Sequence, residues 1–184
     1  GLVGSEMCIR DRRRFSVKKF KRALSAWQNG LAGRAWNALY LENHDHARVI
    51  SRYGSERYRV ESGKALAAAY MLLQGTPFIY QGQEIGMTNL RLPSADMYPD
   101  VQTRGMVKAA SRWLSPRRVL RLTQDAARDS ARTPMQWTSG KNAGFTEGEP
   151  WFFVNENART VNVEAEDADE DSLLNFYRAL IAFR

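Results

Sequence analysis

Two neighbouring side chains in this sequence have types that could do chemistry, His44 and Asp45. The apolar run Ala38–Leu41 just before them is typical of a buried strand, and from Asn43 onward the residues are polar or ionisable. In parallel α/β folds, functional groups lie where strands run into the loops that follow them. Asp45 is therefore the first candidate for a carboxylate that binds substrate or stabilises a reacting group.

The residue types alone leave other interpretations open. A buried acid at a strand exit can equally belong to a structural ion pair, and a single histidine such as His44 is more often a hydrogen-bonded interior residue. His44 and His46 could form a metal-binding pair, but neither a third ligand nor a recognised ligand spacing accompanies them. The sequence therefore predicts no metal site and no cofactor.

The elements around Asp45 predict a strand, a helix and a second strand. A helix is expected over residues 62–73, followed by a buried strand at Phe78–Tyr80 with Pro77 at its start. A strand, helix and strand within about 45 residues favour a parallel pair. Gln81–Gly86 would then be an exit loop on the same face as Asp45.

The rest of the chain is predicted to be helices and one long loop, without an internal repeat. Residues 87–130 are too many for a simple loop and predict an insertion with elements of its own. The stretch Arg132–Trp151 is rich in Gly, Pro and Asn and predicts an ordered surface loop, whereas the acidic run Asp167–Asp171 is expected to be solvated. Four further helices are predicted. The first begins at Ser16 and ends at Gly30 and Gly33, and its apolar stripe is Val17, Phe20, Leu24 and Trp27. The second covers 103–114, and the third covers 115–127 and is opened by Ser115 and Pro116. The last begins at Asp171 or Ser172, and its apolar stripe is Leu173, Phe176, Tyr177, Leu180 and Ile181.

Three motifs resemble the α-amylase superfamily of glycoside hydrolases, family 13, in its α-glucosidase and oligo-1,6-glucosidase branch. They are Asn43–Gly54, Gly75–Met87, and Ala131–Trp137 continuing to Asn142–Phe145, in the same order and at suitable spacing. The resemblance implies an α/β fold that is the C-terminal part of a (β/α)8 TIM barrel, with its last two strands, their helices and a long insertion after the last strand. A complete barrel takes about 250 residues, so the resemblance implies a fragment truncated at both ends.

The resemblance also implies roles for three residues. Asp45 would be the transition-state stabiliser, and His44 and Arg132 would bind the sugar. The nucleophile and the acid/base of the family lie on earlier strands and have no counterpart here, so the fragment alone is predicted to be inactive. A guanidinium can donate in parallel to vicinal hydroxyls, although Arg132 could also pin its loop through a salt bridge. Glu84 is expected to have a supporting role, and Trp137 to pack under its loop.

The resemblance predicts a retaining α-glucosidase that acts on short oligosaccharides. Many relatives have Gln-Pro after the aspartate where this chain has His46 and Ala47, which leaves open the linkage preference and the balance between hydrolysis and transfer. One alternative is therefore a transglucosidase or sucrose isomerase of the same superfamily. Another is a catalytically dead barrel domain associated with a transporter, against which the intact Asp45, His44 and Arg132 argue.

The net charge of +7 arises within the first 34 residues. A basic segment can bind nucleic acid. The favoured interpretation is that these residues lie on the solvent-facing side of a helix and in a non-native N-terminal stretch, so no nucleic-acid partner is predicted.

Residues 1–12 lack periodicity and are expected to be a non-native leader translated from sequencing-adapter DNA. The barrel segment is then expected over 13–184. No apolar run approaches the roughly 20 residues of a membrane span. A cytoplasmic location is predicted.

Overall fold

The computed structural model describes residues 16–184, so the predicted leader at 1–12 lies outside the described residues. Within that range, helices pack around a short parallel sheet. The α-helices are α1 (Val17–Leu31), α2 (Val49–Tyr53), α3 (Arg59–Met71), α4 (Val101–Ala110), α5 (Pro116–Ala126), α6 (Val163–Ala168) and α7 (Leu173–Phe183). Short 3-10 turns cover Ala95–Met97, Arg128–Arg132, Lys141–Gly144 and Glu156–Arg159.

The sheet consists of β1 (Ala38–Leu39) and β2 (Thr76–Pro77), which pair in parallel. Helices α2 and α3 lie between them in the chain, so the predicted strand, helix and strand unit is confirmed. The predicted bounds Ala38–Leu41 and Phe78–Tyr80 are wrong, because β1 is shorter and β2 lies earlier.

The hydrogen bonds of the ladder explain where β2 lies. The amides of Thr76 and Phe78 donate to the carbonyls of Asn37 and Leu39 at 2.8 and 2.7 Å. Alternate residues of a parallel strand donate to the same neighbour, and Pro77, which has no N–H, falls between the two donors. The proline is therefore tolerated inside the paired segment.

The main hydrophobic core joins the sheet to α2, α3 and α7. Helix α3 crosses α7 at Gly63, where an added Cβ would lie 2.6 Å from Leu173 Cδ2, so a larger residue would require Leu173 to move. Full burial of a large apolar side chain contributes about 1.5–3 kcal/mol, so this cluster stabilises the packing of the helices on the sheet. Its fully buried members are Leu39, Leu41, Val49, Ile50, Leu66, Ala67, Tyr70, Met71, Leu173 and Tyr177.

Helix α1 covers one flank of this core with a partly buried face. Ser16 caps it by accepting from the Lys19 amide at 3.4 Å, and Phe20 packs against the core. The predicted break at Gly30 is wrong, because α1 continues to Leu31 before Gly33 turns the chain with φ +67°. The predicted stripe also begins too early, since Val17 is exposed.

The insertion after β2 has helices of its own, as predicted, and α4 and α5 pack on each other beside a second core. The predicted bounds 103–114 and 115–127 are close to the observed ones. Asp100 caps α4, and Pro116 occupies the first turn of α5. The second core contains Leu90, Leu92, Tyr98, Ala127 and Phe152.

The acidic run Asp167–Asp171 is exposed, as predicted. Helix α6 includes its first two residues, and Glu166, which lies in α6 just before the run, is buried. Its carboxylate accepts from Arg59 of α3 at 2.6 Å and from the Leu173 amide at 3.0 Å. A buried charge requires such partners. Ser172, one of the two predicted caps, accepts from the Asn175 amide and begins α7.

Candidate functional site

The chain leaves β1 through a tight polar turn that brings Asp45 to the surface. The Asp45 amide donates to Asn43 Oδ1 at 2.9 Å, an interaction typical of Asx turns. The side chain of Asp45 is 48% exposed and that of His44 is 67% exposed. Asp45 is thus not buried, although it does have the ion-pair partners that one alternative from the sequence foresaw, Arg128 and Arg132. His44 is not an interior histidine.

The structure brings His44, Asp45 and Arg132 together, although Arg132 lies 87 residues after Asp45. Arg132 Nη2 donates to Asp45 Oδ1 at 3.1 Å, and its Nε donates to the His44 carbonyl at 3.0 Å. His44 Nε2 lies 3.3 Å from the other carboxylate oxygen, Asp45 Oδ2. The three residues named from the sequence thus form one cluster at the exit of β1.

Two residues that sequence reasoning missed complete this cluster. Arg128 Nη1 donates to Asp45 Oδ1 at 2.9 Å, while its Nη2 contacts Asp100 Oδ1 at 2.8 Å. Arg132 Nη1 donates to the same oxygen of Asp100 at 2.9 Å. Each guanidinium therefore spans both carboxylates, and the four charges cancel. The only hint in the sequence was the position of Arg128 four residues before Arg132.

The four charged groups differ in their surroundings. The Asp100 side chain is only 6% exposed, against 48% for Asp45. Burial alone would raise the pKa of Asp100, but the hydrogen bonds from Arg128 and the Thr103 amide, with the charge of Arg132, outweigh it and hold that pKa at about 2. The Asp100 carboxylate also raises the pKa of Arg128. Asp100 is therefore ionised and Arg128 protonated at neutral pH.

A buried arginine attaches the strand exits to the segment that carries Arg132. Arg48 donates to Glu42 Oε1 at 2.6 Å, to the Gln81 carbonyl at 2.7 Å and to the Ser130 carbonyl at 3.1 Å. Both side chains of the Arg48–Glu42 pair are fully buried. Arg48 therefore connects the end of β1, the loop after β2 and the 3-10 turn at 128–132.

Further bonds to the same turn fix its backbone. Tyr80 Oη donates to the Ala131 carbonyl at 3.0 Å, and Gln81 Nε2 donates to the same oxygen at 3.3 Å. The Leu90 amide donates to Ser130 Oγ at 3.1 Å. Gln81, the first residue of the predicted exit loop, is thus bonded to the turn whose Arg132 contacts Asp45.

Arg132 is followed by a segment that is more buried than a surface loop. Residues 133–136 are buried, and Gln136 Nε2 donates to Asn157 Oδ1 at 3.1 Å and to the Val161 carbonyl. Met135 packs against Ile85 and Met87. The prediction of a surface loop from Arg132 onward is therefore wrong for its first part. Trp137 is half exposed, which contradicts its predicted packing under the loop.

Two other titratable groups lie near the strand exits. Burial raises the pKa of Glu84, and its Oε2 is buried without a partner in the part of the chain described. Burial, and then the charge of Arg52, lower the pKa of His46.

Across residues 16–184, no three His, Cys, Asp or Glu side chains are grouped so that they could hold a metal ion. None of the helices described is long and apolar enough to cross a bilayer.

The cluster can bind a polyhydroxylated ligand and stabilise positive charge, but it is not built to transfer protons. A general acid must carry a proton, and the pKa of Asp100 is held at about 2. Asp45 Oδ1 already accepts hydrogen bonds from both guanidiniums. Asp45 Oδ2 is bonded only to the exposed His44 among these contacts, so it can accept from a hydroxyl. The exposed His44 can donate to another.

Comparison with known proteins gives consistent matches along nearly the whole chain. Residues 5–184 match the model of the alpha-amylase family, described as the alpha amylase catalytic domain. The oligo-1,6-glucosidase of Parageobacillus thermoglucosidasius is 46% identical over 177 residues, which are 95% of this chain and 32% of that protein. The chain thus spans about a third of the length of the curated relatives it matches.

Solved structures with a similar fold include a hydrolase and an isomaltulose synthase. Trehalose-6-phosphate hydrolase of Bacillus licheniformis superposes with a TM-score of 0.85 at 40% identity, covering 90% of this chain and 30% of its own. Isomaltulose synthase of Klebsiella sp. LX3 superposes with a TM-score of 0.87 at 35% identity, covering 93% of this chain and 32% of its own. Both likenesses place the described residues in an α/β catalytic domain.

Proposed function

This chain belongs to the α-amylase family of catalytic domains, and on that premise we propose that it is the C-terminal part of the (β/α)8 barrel of a retaining α-glucosidase. The proposal places β1 and β2 as the last two strands of that barrel and residues 87–130 as an insertion after the last one. The convergence of Asp45, His44 and Arg132 at the exposed exit of β1 is the observation that carries it. The 46% identity to an oligo-1,6-glucosidase supports short α-glucosides as substrates.

In this proposal Asp45 binds the glucose unit whose bond is cleaved. Its carboxylate accepts from ring hydroxyls, and its negative charge stabilises the oxocarbenium-like transition state, which carries developing positive charge on the sugar. His44 donates to a hydroxyl of the same glucose. Arg132 binds the sugar and holds Asp45 Oδ1 through a hydrogen bond. The contacts strengthen as charge develops, so they accelerate the reaction and do not merely retain the substrate.

The retaining reaction needs two further carboxyl groups. One attacks the anomeric carbon to form a glucosyl-enzyme ester while the other gives its proton to the leaving oxygen; water then cleaves the ester. We assign both to a part of the polypeptide outside this chain, since the curated relatives are about three times as long. The 184-residue chain by itself is then inactive. A cytoplasmic location stays a prediction from the sequence.

A transferase or isomerase of the same family is the second candidate. The likeness to isomaltulose synthase, with a TM-score of 0.87, favours it. His46 and Ala47 stand where many relatives have Gln-Pro, next to Asp45, so this departure bears on the choice of acceptor. The nature of the acceptor, water or a second sugar, decides between the two functions.

The test begins by recovering the complete coding sequence and expressing its product. That protein is incubated with isomaltose, sucrose and trehalose 6-phosphate, and the products are separated by chromatography. Free glucose from isomaltose is the expected result. A rearranged disaccharide from sucrose would favour the isomerase, and no turnover of any α-glucoside would overturn the proposal. Hydrolysis by the 184-residue chain alone would refute the assignment of the missing carboxyl groups.

A further inference from the structure

We propose that Asp100 is a positioning residue for the glucosidase site, acting through Arg128 and Arg132 to fix the orientation of the Asp45 carboxylate. This inference rests on the proposed function. It assigns a role at the sugar site to the insertion after β2, because Asp100 begins helix α4 of that insertion.

Asp45, Arg128, Asp100 and Arg132 form a closed network of four ion pairs, called the square below. Arg128 and Arg132 each direct one terminal nitrogen to Asp45 and the other to Asp100, at 2.8–3.1 Å. All four bonds reach the Oδ1 atom of a carboxylate. The Asp45 bonds therefore hold one oxygen and leave Oδ2 directed to His44. A planar guanidinium that spans two acceptors allows little rotation of either carboxylate.

The two ends of the square differ in how firmly they are held. Asp45 is half exposed and lies in a surface turn, whereas Asp100 is almost fully buried. Asp100 Oδ2 accepts from the Thr103 amide at 3.0 Å, and the Asp100 amide donates to Asp129 Oδ1 at 3.0 Å. Asp100 is thus attached to α4 and to the turn at 128–132. It is the fixed end, and Asp45 is the end that can move.

Arg128 depends on this arrangement more than Arg132 does. Arg132 has an additional bond from Nε to the His44 carbonyl, but Arg128 Nε is buried without a partner among the residues described. The two carboxylates therefore supply the hydrogen bonds that orient the Arg128 guanidinium. Without Asp100, this guanidinium is free to rotate and to take Asp45 with it.

Removing the charge of Asp100 also changes the electrostatics of the reaction. The square is neutral as it stands, and loss of one carboxylate leaves a net positive charge beside the glucose. The oxocarbenium-like transition state is itself positive, so it is disfavoured more than the neutral ground state. We therefore expect kcat to fall while KM changes little.

The test uses the complete gene product and its Asp100→Asn variant. Asparagine keeps an oxygen for the Thr103 amide, so the cap of α4 is retained. Asp96→Asn is the matched control, since Asp96 is an exposed acid in the same insertion and forms none of the four contacts. We expect Asp100→Asn to lower kcat by about 10- to 100-fold and KM to change by less than about threefold. The control should match the wild type.

A double-mutant cycle separates positioning from a purely structural role. If Asp100 acts through Asp45, then Asp100→Asn should lower kcat much less in an Asp45→Asn background than in the wild type. Equal fold losses in both backgrounds, or an unchanged kcat in the single variant, would overturn the proposal. If Asp100→Asn fails to fold, Arg128→Lys takes its place, because an ammonium cannot span both carboxylates.

A crystal structure of the Asp100→Asn protein gives a measurement independent of activity. We expect a rotated Asp45 carboxylate or the loss of its contact with Arg128. An unmoved Asp45 with both arginines in place would contradict the positioning role even if the substrate is another sugar. Conversely, an inactive wild type with a rotated Asp45 in the variant would count against the proposed function alone.

Discussion

Arg48 is the side chain whose loss should damage this structure most. It is fully buried and donates to Glu42, Gln81 and Ser130. Arg48→Met keeps much of the volume but leaves Glu42 as a buried, unpaired charge. Breaking a buried pair in this way costs about 3–5 kcal/mol, and each carbonyl left without a donor adds about 1–3 kcal/mol before water or relaxation restores part of it. We expect a loss of at least about 3 kcal/mol in the free energy of unfolding at neutral pH.

The loss should depend on pH, because Glu42 can take up a proton. Burial raises the pKa of Glu42, while Arg48 and the Val49 amide act in the opposite direction. Without Arg48, the folded-state pKa rises further above the unfolded value of 4.5. Protonation of Glu42 therefore stabilises the folded variant, fully below the unfolded pKa and progressively less as the pH rises through the folded pKa. The difference in the free energy of unfolding between Arg48→Met and the wild type should be smaller at pH 5 than at pH 8.

The assay is thermal and urea unfolding of the complete gene product, followed by tryptophan fluorescence. Arg57→Met serves as the control, because Arg57 is exposed, and should change stability by less than about 0.5 kcal/mol. Glu42→Gln combined with Arg48→Met should be more stable than Arg48→Met alone, since no buried charge remains. The reasoning fails if Arg48→Met costs under about 1 kcal/mol, if its effect is the same at pH 5 and 8, or if the double variant is no better.

Three further predictions concern the site and the packing of its support. Asp45→Asn in the complete enzyme should lower kcat/KM by about a thousandfold; a loss below tenfold would mean another role. Gly63→Val should cost about 1–3 kcal/mol by overpacking against Leu173, whereas Gly30→Ala, with open space around it, should gain about 0.5–1 kcal/mol; equal melting temperatures would refute both. Because the pKa of Asp100 is about 2, below its ordinary 3.8, its ion pairs stabilise the fold above pH 3.8 and weaken as the pH falls toward 2. The melting-temperature gap between wild type and Asp100→Asn should close over that range, and a constant gap would contradict the ion-pair assignment.

Local signals in the sequence were sufficient for most helices and for the parallel pair. Ser172 and Pro116 mark the starts of α7 and α5, because capping and first-turn preferences depend on a few neighbouring residues. The bounds of the strands were not accessible in this way. Pro77 is acceptable inside β2 only because the register of the ladder requires donors at positions 76 and 78, and register depends on the partner strand.

Burial was the property that the sequence described least well. Glu166 directly precedes an acidic run that is solvated as predicted, yet Arg59, 107 residues earlier, pairs with it and it is buried. Residues 133–136 looked like a surface loop, yet distant polar and apolar groups enclose them. Composition predicts polarity, but whether a polar group is buried depends on the partners that the rest of the chain brings to it.

The sequence by itself determined the family, through three motifs in order, and with it His44, Asp45 and Arg132 as candidates. Only the tertiary structure decided that Asp45 is exposed and that Asp100 and Arg128 join the cluster. Asp45 and Arg128 are 83 residues apart and Asp100 and Arg132 are 32 apart. No local pattern encodes such contacts, because they form only when the strand exits, the insertion and the turn at 128–132 pack together.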